Sequence, residues 1–246
     1  MSVPRILVVC TGNICRSPMA EQLLRARLFA LGLQADVQSA GTRAVVASQM
    51  TAEAAALSLK YGAHSTKHGA QQLTEQLVRD ADLILTATRT HRLDVVRVLP
   101  KATGYVFTLN QFARLVSATT GSDGQGIIGL GRVTGADRGA SFESTCGVTG
   151  EKLFGSVPVS ANESSASTFS AFVASIAATR GWHPSPTPPE RDDIEDPYRR
   201  SAAVYSTVAS TVNESVTTIA TALSAAAALP ATGDSRHVHW DQARDR

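Results

Sequence analysis

Hydrophobic positions in the first half of the chain alternate between short β-branched runs and longer stretches with helical spacing. Residues 5–9 form a continuous apolar run that ends at a turn, which is typical of a strand buried in a parallel sheet. Over residues 17–31 the apolar side chains instead fall on one face of a helix, and Gly32 follows its end. The pattern therefore predicts a strand followed by a helix.

The same alternation of strands and helices continues to about residue 117. After residue 165 only the helical spacing returns. The further predicted strands cover residues 36–39, 82–87 and 105–109, and the further predicted helices cover residues 51–61, 89–98, 111–117, 168–179 and 201–228. Strands that alternate with helices indicate a parallel sheet covered on both faces. We therefore expect an α/β fold with three layers, αβα, around a four-stranded parallel sheet.

The composition changes between residues 120 and 165. This stretch contains ten of the eighteen glycines, many Ser and Thr residues and no apolar period, so we interpret it as a flexible Gly/Ser-rich insertion. The last residues, 230–246, have the charged composition of a frayed tail. We expect a single domain over residues 1–246, with its core in residues 4–119 and 166–228.

Charge and cysteine content narrow the class of protein. The formal net charge is +2, which argues against a general nucleic-acid binder. No apolar stretch has the length of a membrane span or the pattern of a signal peptide, so we expect no membrane insertion. The cysteines Cys10, Cys15 and Cys146 are few and odd in number, which suits a reducing compartment. We therefore expect a cytoplasmic protein.

The candidate chemistry lies in the segment VVCTGNICRSP, where the first strand meets the first helix. A short loop before a helix directs several backbone N–H groups into one concavity, which favours a bound anion. Arg16 adds a planar guanidinium that matches two phosphate oxygens. The same positive field favours the thiolate form of Cys10, to whose sulfur Ser17 offers a hydroxyl. The loop is therefore predicted to bind a tetrahedral oxyanion over a nucleophilic sulfur.

The residues between the nucleophile and the first helix are expected to shape this loop. Gly12 would supply unusual backbone angles, and Asn13 tolerates the left-handed region. The predicted substrate-binding residues of the loop are Thr11, Gly12, Asn13, Ile14, Cys15 and Ser17. The alternative is that Cys10 is a small buried apolar residue and Arg16 a surface charge. The combination of residue types at a strand-to-helix junction favours a binding loop.

The segment VCTGNICRSPMAE resembles the signature of the low-molecular-weight protein tyrosine phosphatases, in which a Cys, five residues, an Arg and a Ser or Thr follow the first strand. SAGT at residues 39–42 resembles the family's next segment, whose Ser braces the loop Asn, and DPY at residues 196–198 resembles its acid loop. The resemblance covers about residues 4–118 and 168–228. It implies a phosphatase domain that hydrolyses phosphotyrosine through a phosphocysteine, without a metal or a cofactor.

The resemblance also implies roles for individual residues. Cys10 is expected to attack phosphorus, Arg16 to bind the phosphoryl oxygens and Asp196 to act as general acid. Tyr198 is expected to bind the substrate as an aromatic pocket wall, although it could instead anchor the last helix. The opposite wall, read as RAVVASQM, lacks the bulky aromatic of many relatives, so a wider pocket is expected. The neighbouring acids are interpreted as a solvated surface or as helix-dipole partners: Asp192, Asp193 and Glu195.

Two rival functions remain open at this point. Relatives on this fold reduce arsenate, which needs extra thiols, and only Cys146 is available for that role. A phosphotyrosine-binding module without catalysis would be expected to lose the thiol or the acid.

The expected partner is a phosphotyrosine protein. The resemblance implies that bacterial tyrosine kinases are among the possible substrates. Cys15 either packs or forms a disulfide with Cys10 on oxidation, and the six histidines are interpreted as surface or packing residues.

Overall fold

The computed structural model describes residues 3–65, 67–120 and 164–228, and a parallel sheet forms its centre. The strands are β1 (Arg5–Cys10), β2 (Asp36–Gly41), β3 (Leu83–Thr86) and β4 (Val106–Thr108). They lie in the order β2-β1-β3-β4, and each neighbouring pair is parallel. The prediction of an α/β fold with a four-stranded parallel sheet is confirmed.

Helices connect the strands and extend beyond them. They are α1 (Arg16–Ala30), α2 (Ala52–Lys60), α3 (Glu75–Asp80), α4 (Arg89–Val98), α5 (Leu109–Thr120), α6 (Ser164–Ala178) and α7 (Ala202–Ala227). The helix α3 was not predicted, because it has six residues and buries only Val78. Cys146, the tail at 230–246 and nearly all of the predicted insertion lie outside the described residues.

The two faces of the sheet are covered by different helices. Side chains of a strand alternate between faces, and in β1 Ile6 and Val8 pack with α1, α2, α5, α6 and α7. Leu7 and Val9 pack with α3 and α4 on the other face. Because both faces are buried, residues 6–10 of β1 are all apolar and do not alternate. This arrangement confirms the three αβα layers and places Cys10 at the carboxyl end of a central strand.

The helix α7 closes the larger core against α1 and α5. Its buried residues Val208, Val212, Val216 and Ile219 repeat at the spacing of one helical face. Ser201 caps the helix by accepting a hydrogen bond from the Val204 N–H. The segment that carries the predicted acid, residues 190–196, therefore lies between two anchored helices. Among the helices of the described residues, none is long and apolar enough to cross a membrane.

Candidate active site

The loop at residues 11–15 joins the carboxyl end of β1 to the first turn of α1. Asn13 has φ of 56°, the left-handed region that the sequence analysis expected it to tolerate. Gly12 does not have a positive φ, and a Cβ there would meet Ile14 at an ordinary contact of 3.5 Å. The expectation that Gly12 supplies unusual backbone angles was wrong, because Asn13 makes the turn.

A different glycine permits the close approach of β2 to this loop. A Cβ on Gly41 would lie 2.4 Å from the carbonyl oxygen of Thr11, a distance that no side chain can occupy. The Thr42 N–H donates to the carbonyl oxygen of Cys10 at 2.9 Å. The glycine of the SAGT segment therefore lets the end of β2 support the loop directly.

Asn13 holds the loop in place through its side chain and its carbonyl. Its Nδ2 donates to Ser17 Oγ at 2.9 Å and to Ser39 Oγ at 2.8 Å. Its Oδ1 accepts from the Gln71 N–H at 2.9 Å, which fixes the orientation of the amide. Its carbonyl oxygen accepts from His68 Nε2 at 2.6 Å. The loop conformation is therefore fixed by β2 and by the segment that precedes α3.

The Cys10 sulfur lies inside this network. Cys10 is 2% exposed, and its Sγ lies 2.9 Å from Ser17 Oγ. Ser17 Oγ accepts from Asn13 Nδ2 and keeps its proton and a second lone pair, so either Ser17 or Cys10 can be the donor of this contact. Cys10 is a free cysteine. A free sulfur with a hydroxyl partner at the base of a loop suits a cysteine nucleophile.

Arg16 connects the loop to a segment 180 residues later in the chain. Its Nη1 donates to the Ile194 carbonyl oxygen at 3.0 Å, and its Nη2 donates to Asp196 Oδ2 at 2.7 Å. The Arg16 side chain is 6% exposed, whereas that of Asp196 is 53% exposed. The Nε atom of Arg16 is buried without a hydrogen-bond partner in the structure as described. The guanidinium therefore keeps a donor for a further acceptor, as an anion-binding group should.

The segment before Asp196 is fixed at the carboxyl end of β3. The Ile194 N–H donates to the Ala87 carbonyl oxygen at 2.8 Å. Asp193 Oδ1 accepts from the Arg89 N–H at 2.7 Å, at the first residue of α4, where a carboxylate is favoured by the helix dipole. The interpretation of Asp193 as a helix-dipole partner agrees with this contact.

Asp192 is buried rather than solvated. Its side chain is 4% exposed, and its Oδ2 lies 3.0 Å from Nη2 of Arg114 on α5. The expectation that Asp192 belongs to a solvated surface was therefore wrong, because α5 presents a guanidinium to it. Glu195 is the solvated member of the group, with a side chain 57% exposed and Arg200 at 3.4 Å.

A cavity of about 510 Å³ opens beside the loop. It is lined by side chains from the loop, the end of β2, the start of α4 and the acid segment: Thr11, Arg16, Thr42, Arg43, Thr88, Thr90, His91, Asp94, Glu190, Asp193, Ile194, Glu195 and Asp196. Within the part of the chain that the structure describes, no three His, Cys, Asp or Glu residues are grouped so as to hold a metal ion. The cavity thus offers a guanidinium, carboxylates and hydroxyls to a ligand.

Tyr198 does not contribute to that lining. The residue is 45% exposed, and the Arg199 guanidinium lies 5.1 Å from the centre of its ring. Its N–H donates to Asp196 Oδ1 at 3.2 Å, so its backbone orients the carboxylate. A role of the Tyr198 ring as a pocket wall remains a prediction.

His91 belongs to this site, although the sequence pattern favoured a surface or packing role for the histidines. His91 is 6% exposed and lines the cavity, with hydrogen bonds to Thr11 and Thr88. Burial, followed by the Arg16 charge, lowers the pKa of His91 to about 4, so the imidazole is neutral at neutral pH. The sequence carried one signal for the position of His91. Thr88 follows a predicted strand and precedes a predicted helix, as a cap residue does, which places residue 91 in the first turn of that helix.

Cys15 packs behind the loop. Its Sγ lies 3.6 Å from Thr51 Oγ1 and 3.6 Å from the Tyr205 hydroxyl. Burial raises the pKa of the Cys15 thiol, and the cysteine is free. These contacts match packing, which is one of the two alternatives for Cys15. The other alternative, a disulfide with Cys10 under oxidation, remains a prediction.

Comparisons with known proteins agree with this site. Residues 5–121 match the family model described as low molecular weight phosphotyrosine protein phosphatase. The low molecular weight protein-tyrosine-phosphatase Etp of Escherichia coli K12 is 38% identical over 107 residues, 44% of this chain and 70% of that protein. The protein-arginine-phosphatase of Bacillus subtilis is 38% identical over 120 residues, 48% of this chain and 75% of that protein.

Solved structures show the same fold. The crystal structure of the tyrosine phosphatase AmsI of Erwinia amylovora matches with a TM-score of 0.51 and 23% identity, over 88% of this chain and 91% of that one. The tyrosine phosphatase Wzb of Escherichia coli K30, in complex with sulphate, matches with a TM-score of 0.52 and 22% identity, over 89% of this chain and 98% of that one.

Proposed function

The chain belongs to the low-molecular-weight protein-tyrosine-phosphatase family, and on this basis we propose that it hydrolyses phosphotyrosine in proteins through a phosphocysteine intermediate. One observation carries the proposal. Cys10 ends β1 and Arg16 begins α1, at the two ends of the loop, and Arg16 donates a hydrogen bond to Asp196. This arrangement supports the assignment of Cys10 as nucleophile, Arg16 as anion-binding group and Asp196 as acid.

In the first step, the Cys10 sulfur forms a bond to phosphorus while the bond from phosphorus to the tyrosine oxygen breaks. The loop N–H groups and Arg16 bind the nonbridging oxygens and stabilise their charge in the transition state. The phosphoryl group competes with Asp196 for the Arg16 guanidinium, which releases the carboxylate. The released Asp196 takes up a proton from solvent or from the phosphate monoanion and gives it to the leaving phenolate.

In the second step, water attacks the phosphocysteine. Asp196, now a carboxylate, removes a proton from the water as its oxygen bonds to phosphorus. The bond from phosphorus to sulfur breaks, inorganic phosphate leaves and the Cys10 thiolate is restored. Ser17 supports this step, because its hydroxyl lies 2.9 Å from the sulfur and can donate to it as it departs as a thiolate.

The same proposal includes the compartment, the protein substrate and the extent of the domain. We place the reaction in the cytoplasm, where a nucleophilic thiol stays reduced. The substrate is a phosphotyrosine protein, with an autophosphorylated bacterial tyrosine kinase as the first candidate. Residues 1–246 act as one phosphatase domain, and neither a metal nor a cofactor takes part because the loop supplies the positive field.

Phosphoarginine hydrolysis is the second candidate function. It is favoured by the match to the protein-arginine-phosphatase of Bacillus subtilis, which is as high in identity as the match to Etp and extends over more residues. The same nucleophile and loop would serve, with a P–N bond broken in place of a P–O bond. Arsenate reduction and binding without catalysis have less support, because the relatives described above are named phosphatases.

The test compares two peptides of one sequence, one with phosphotyrosine and one with phosphoarginine. We expect kcat/KM to be higher for phosphotyrosine, and acid-quenched enzyme to carry phosphate on Cys10. Cys10→Ser should lose turnover by about 10⁴-fold or more, whereas the matched control Cys146→Ser should keep both phosphatase activity and phosphocysteine. Preference for phosphoarginine would replace the proposal with the second candidate, and thiol-dependent arsenate turnover that Cys146→Ser abolishes would replace it with arsenate reduction.

A further inference from the structure

His91 joins two threonine hydroxyls that belong to different parts of the site. Its Nε2 lies 2.8 Å from Oγ1 of Thr11, the residue after the nucleophile. Its Nδ1 lies 2.8 Å from Oγ1 of Thr88, the residue that caps α4. His91 is 6% exposed, so both ring nitrogens meet these partners with little access for water. Neither the fold nor the proposed chemistry uses this contact.

Two neutral tautomers of His91 are compatible with these contacts, and one of them gives every hydroxyl proton an acceptor. Thr88 Oγ1 accepts a hydrogen bond from the His91 backbone N–H at 3.3 Å, and His91 Nδ1 is within reach of its hydroxyl proton. When Nδ1 accepts that proton, a neutral imidazole carries its own proton on Nε2. In this tautomer the Nε2–H group donates to Thr11 Oγ1, and the hydroxyl proton of Thr11 is left for another acceptor.

The charges around the ring agree with a neutral imidazole. The positive charge that faces His91 belongs to Arg16, and the opposing negative charges belong to Asp94, Asp193 and Asp196. Burial and the Arg16 charge outweigh these carboxylates, so the pKa of His91 falls to about 4. A protonated ring would donate at both nitrogens, so Thr88 Oγ1 would have to accept from Nδ1 as well as from the His91 backbone N–H.

We propose that His91 is a positioning residue that turns the Thr11 hydroxyl toward the cavity, where it donates a hydrogen bond to the bound phosphoryl group. Thr11 and Arg16 line the same cavity, so a phosphoryl group held there by Arg16 offers an acceptor to the Thr11 hydroxyl. A hydroxyl whose oxygen accepts from an imidazole is also polarised as a donor. The inference rests on the proposed function of this site and adds a donor to it.

The first test reads the tautomer in the wild-type protein. In ¹⁵N NMR spectra of the histidine side chains at neutral pH, we expect the His91 proton on Nε2 and an unprotonated Nδ1, with and without inorganic phosphate. A proton on Nδ1 would overturn the inference, because Nε2 would then accept the Thr11 proton. This measurement needs no variant and no turnover.

The second test measures binding of inorganic phosphate by calorimetry. Thr11→Val removes the hydroxyl and should weaken phosphate binding about tenfold, the loss expected for one hydrogen bond to a charged acceptor. Thr11→Ser keeps a hydroxyl and should bind phosphate within about twofold of the wild type. Equal phosphate affinity of Thr11→Val and the wild type would overturn the inference.

The third test asks whether His91 acts through Thr11. His91→Leu should weaken phosphate binding in the wild-type background and have no further effect in Thr11→Val, whereas His91→Gln keeps an N–H donor and should restore most of the affinity. If the losses of phosphate affinity in His91→Leu and Thr11→Val add up in the double variant, or if His91→Gln binds no better than His91→Leu, then His91 has a packing role only. A protein that binds phosphate through Thr11 but hydrolyses no phosphotyrosine would contradict the proposed function and leave this inference standing.

Discussion

At the scale of the residue, Asp196 differs from its acidic neighbours in what it contacts. Asp192 and Asp193 are engaged by arginines that belong to the protein scaffold, whereas Asp196 pairs with the arginine of the phosphate loop. Its carboxyl group is half exposed and the backbone of Tyr198 orients it. This contact supports the proposal that Asp196, rather than Asp192 or Asp193, exchanges a proton with a group bound at Arg16.

The effect of Asp196→Asn should depend on the leaving group. A phenolate that leaves easily needs little protonation, so kcat/KM for p-nitrophenyl phosphate should fall less than kcat/KM for phenyl phosphate, which should drop by about 10²- to 10³-fold. The measurement is kcat/KM across a series of substituted phenyl phosphates, because the phenolate leaves in the first step. The control is Glu195→Gln, which removes the adjacent exposed carboxylate and should leave the slope of the series unchanged. Equal losses for all leaving groups would contradict the assignment of Asp196.

His91 should make the stability of the protein depend on pH in the acid range. Its pKa is about 4 in the folded protein against 6.5 for an ordinary histidine, so between these values the unfolded chain binds the extra proton. Stability is therefore lost progressively as the pH falls from about 6.5 through about 4, by about 3 kcal/mol in total. Urea unfolding across this range should show the loss in wild type and not in His91→Gln. Parallel pH curves would contradict the assignment.

At the scale of the element, the acid segment owes its place to α4 and α5 more than to its own sequence. The Arg89 N–H at the start of α4 and the Arg114 guanidinium on α5 each bind one of two consecutive aspartates. These contacts are local to the carboxyl end of the sheet, beside the loop that follows β1.

Removing the charge of Asp192 should destabilise the protein. Asp192→Asn leaves Arg114 without its partner in a largely buried pair, at a cost of about 3 kcal/mol in the free energy of unfolding. Glu190→Gln is the matched control, because Glu190 pairs with Arg89 at the surface, and it should cost less than about 1 kcal/mol. Urea unfolding measures both. A similar cost for the two variants would mean that the buried pair adds nothing particular.

Elements with a strong periodic signal could be predicted from the sequence, and contacts between distant elements could not. The strand β1, the loop after it and α1 carry residue types that act locally, so their positions were predicted to within a few residues. The helix α3 was missed because it buries a single residue, Val78. The pairing of Asp192 with Arg114, 78 residues apart, and that of His91 with Thr11, 80 residues apart, depend on sheet order, which no local pattern encodes.

At the scale of the whole molecule, one core joins the first and last parts of the chain. The larger core contains Leu23 of α1, Leu115 of α5 and Ile219 of α7 together with residues of β1 and β3. Because these residues exclude water jointly, residues 5–120 and 164–228 are expected to unfold together, which agrees with the expectation of a single domain.

Ile219→Ala should test that cooperativity. Ile219 is fully buried, so the substitution should destabilise the protein by about 2 to 5 kcal/mol, and the control Ile219→Val by about 1 kcal/mol. Hydrogen exchange should then accelerate to the same degree in β1 and in α7. Acceleration confined to α7 would show that the two parts of the chain unfold separately.

The contact of Arg16 with Ile194 and Asp196 has a consequence for biosynthesis. Arg16 and Asp196 are 180 residues apart in the chain, and the core beside them contains residues of α1, α5 and α7. A nascent chain therefore cannot form this contact until α7 has left the ribosome. The guanidinium and the carboxyl group become competent together, whatever the order in which they are synthesised.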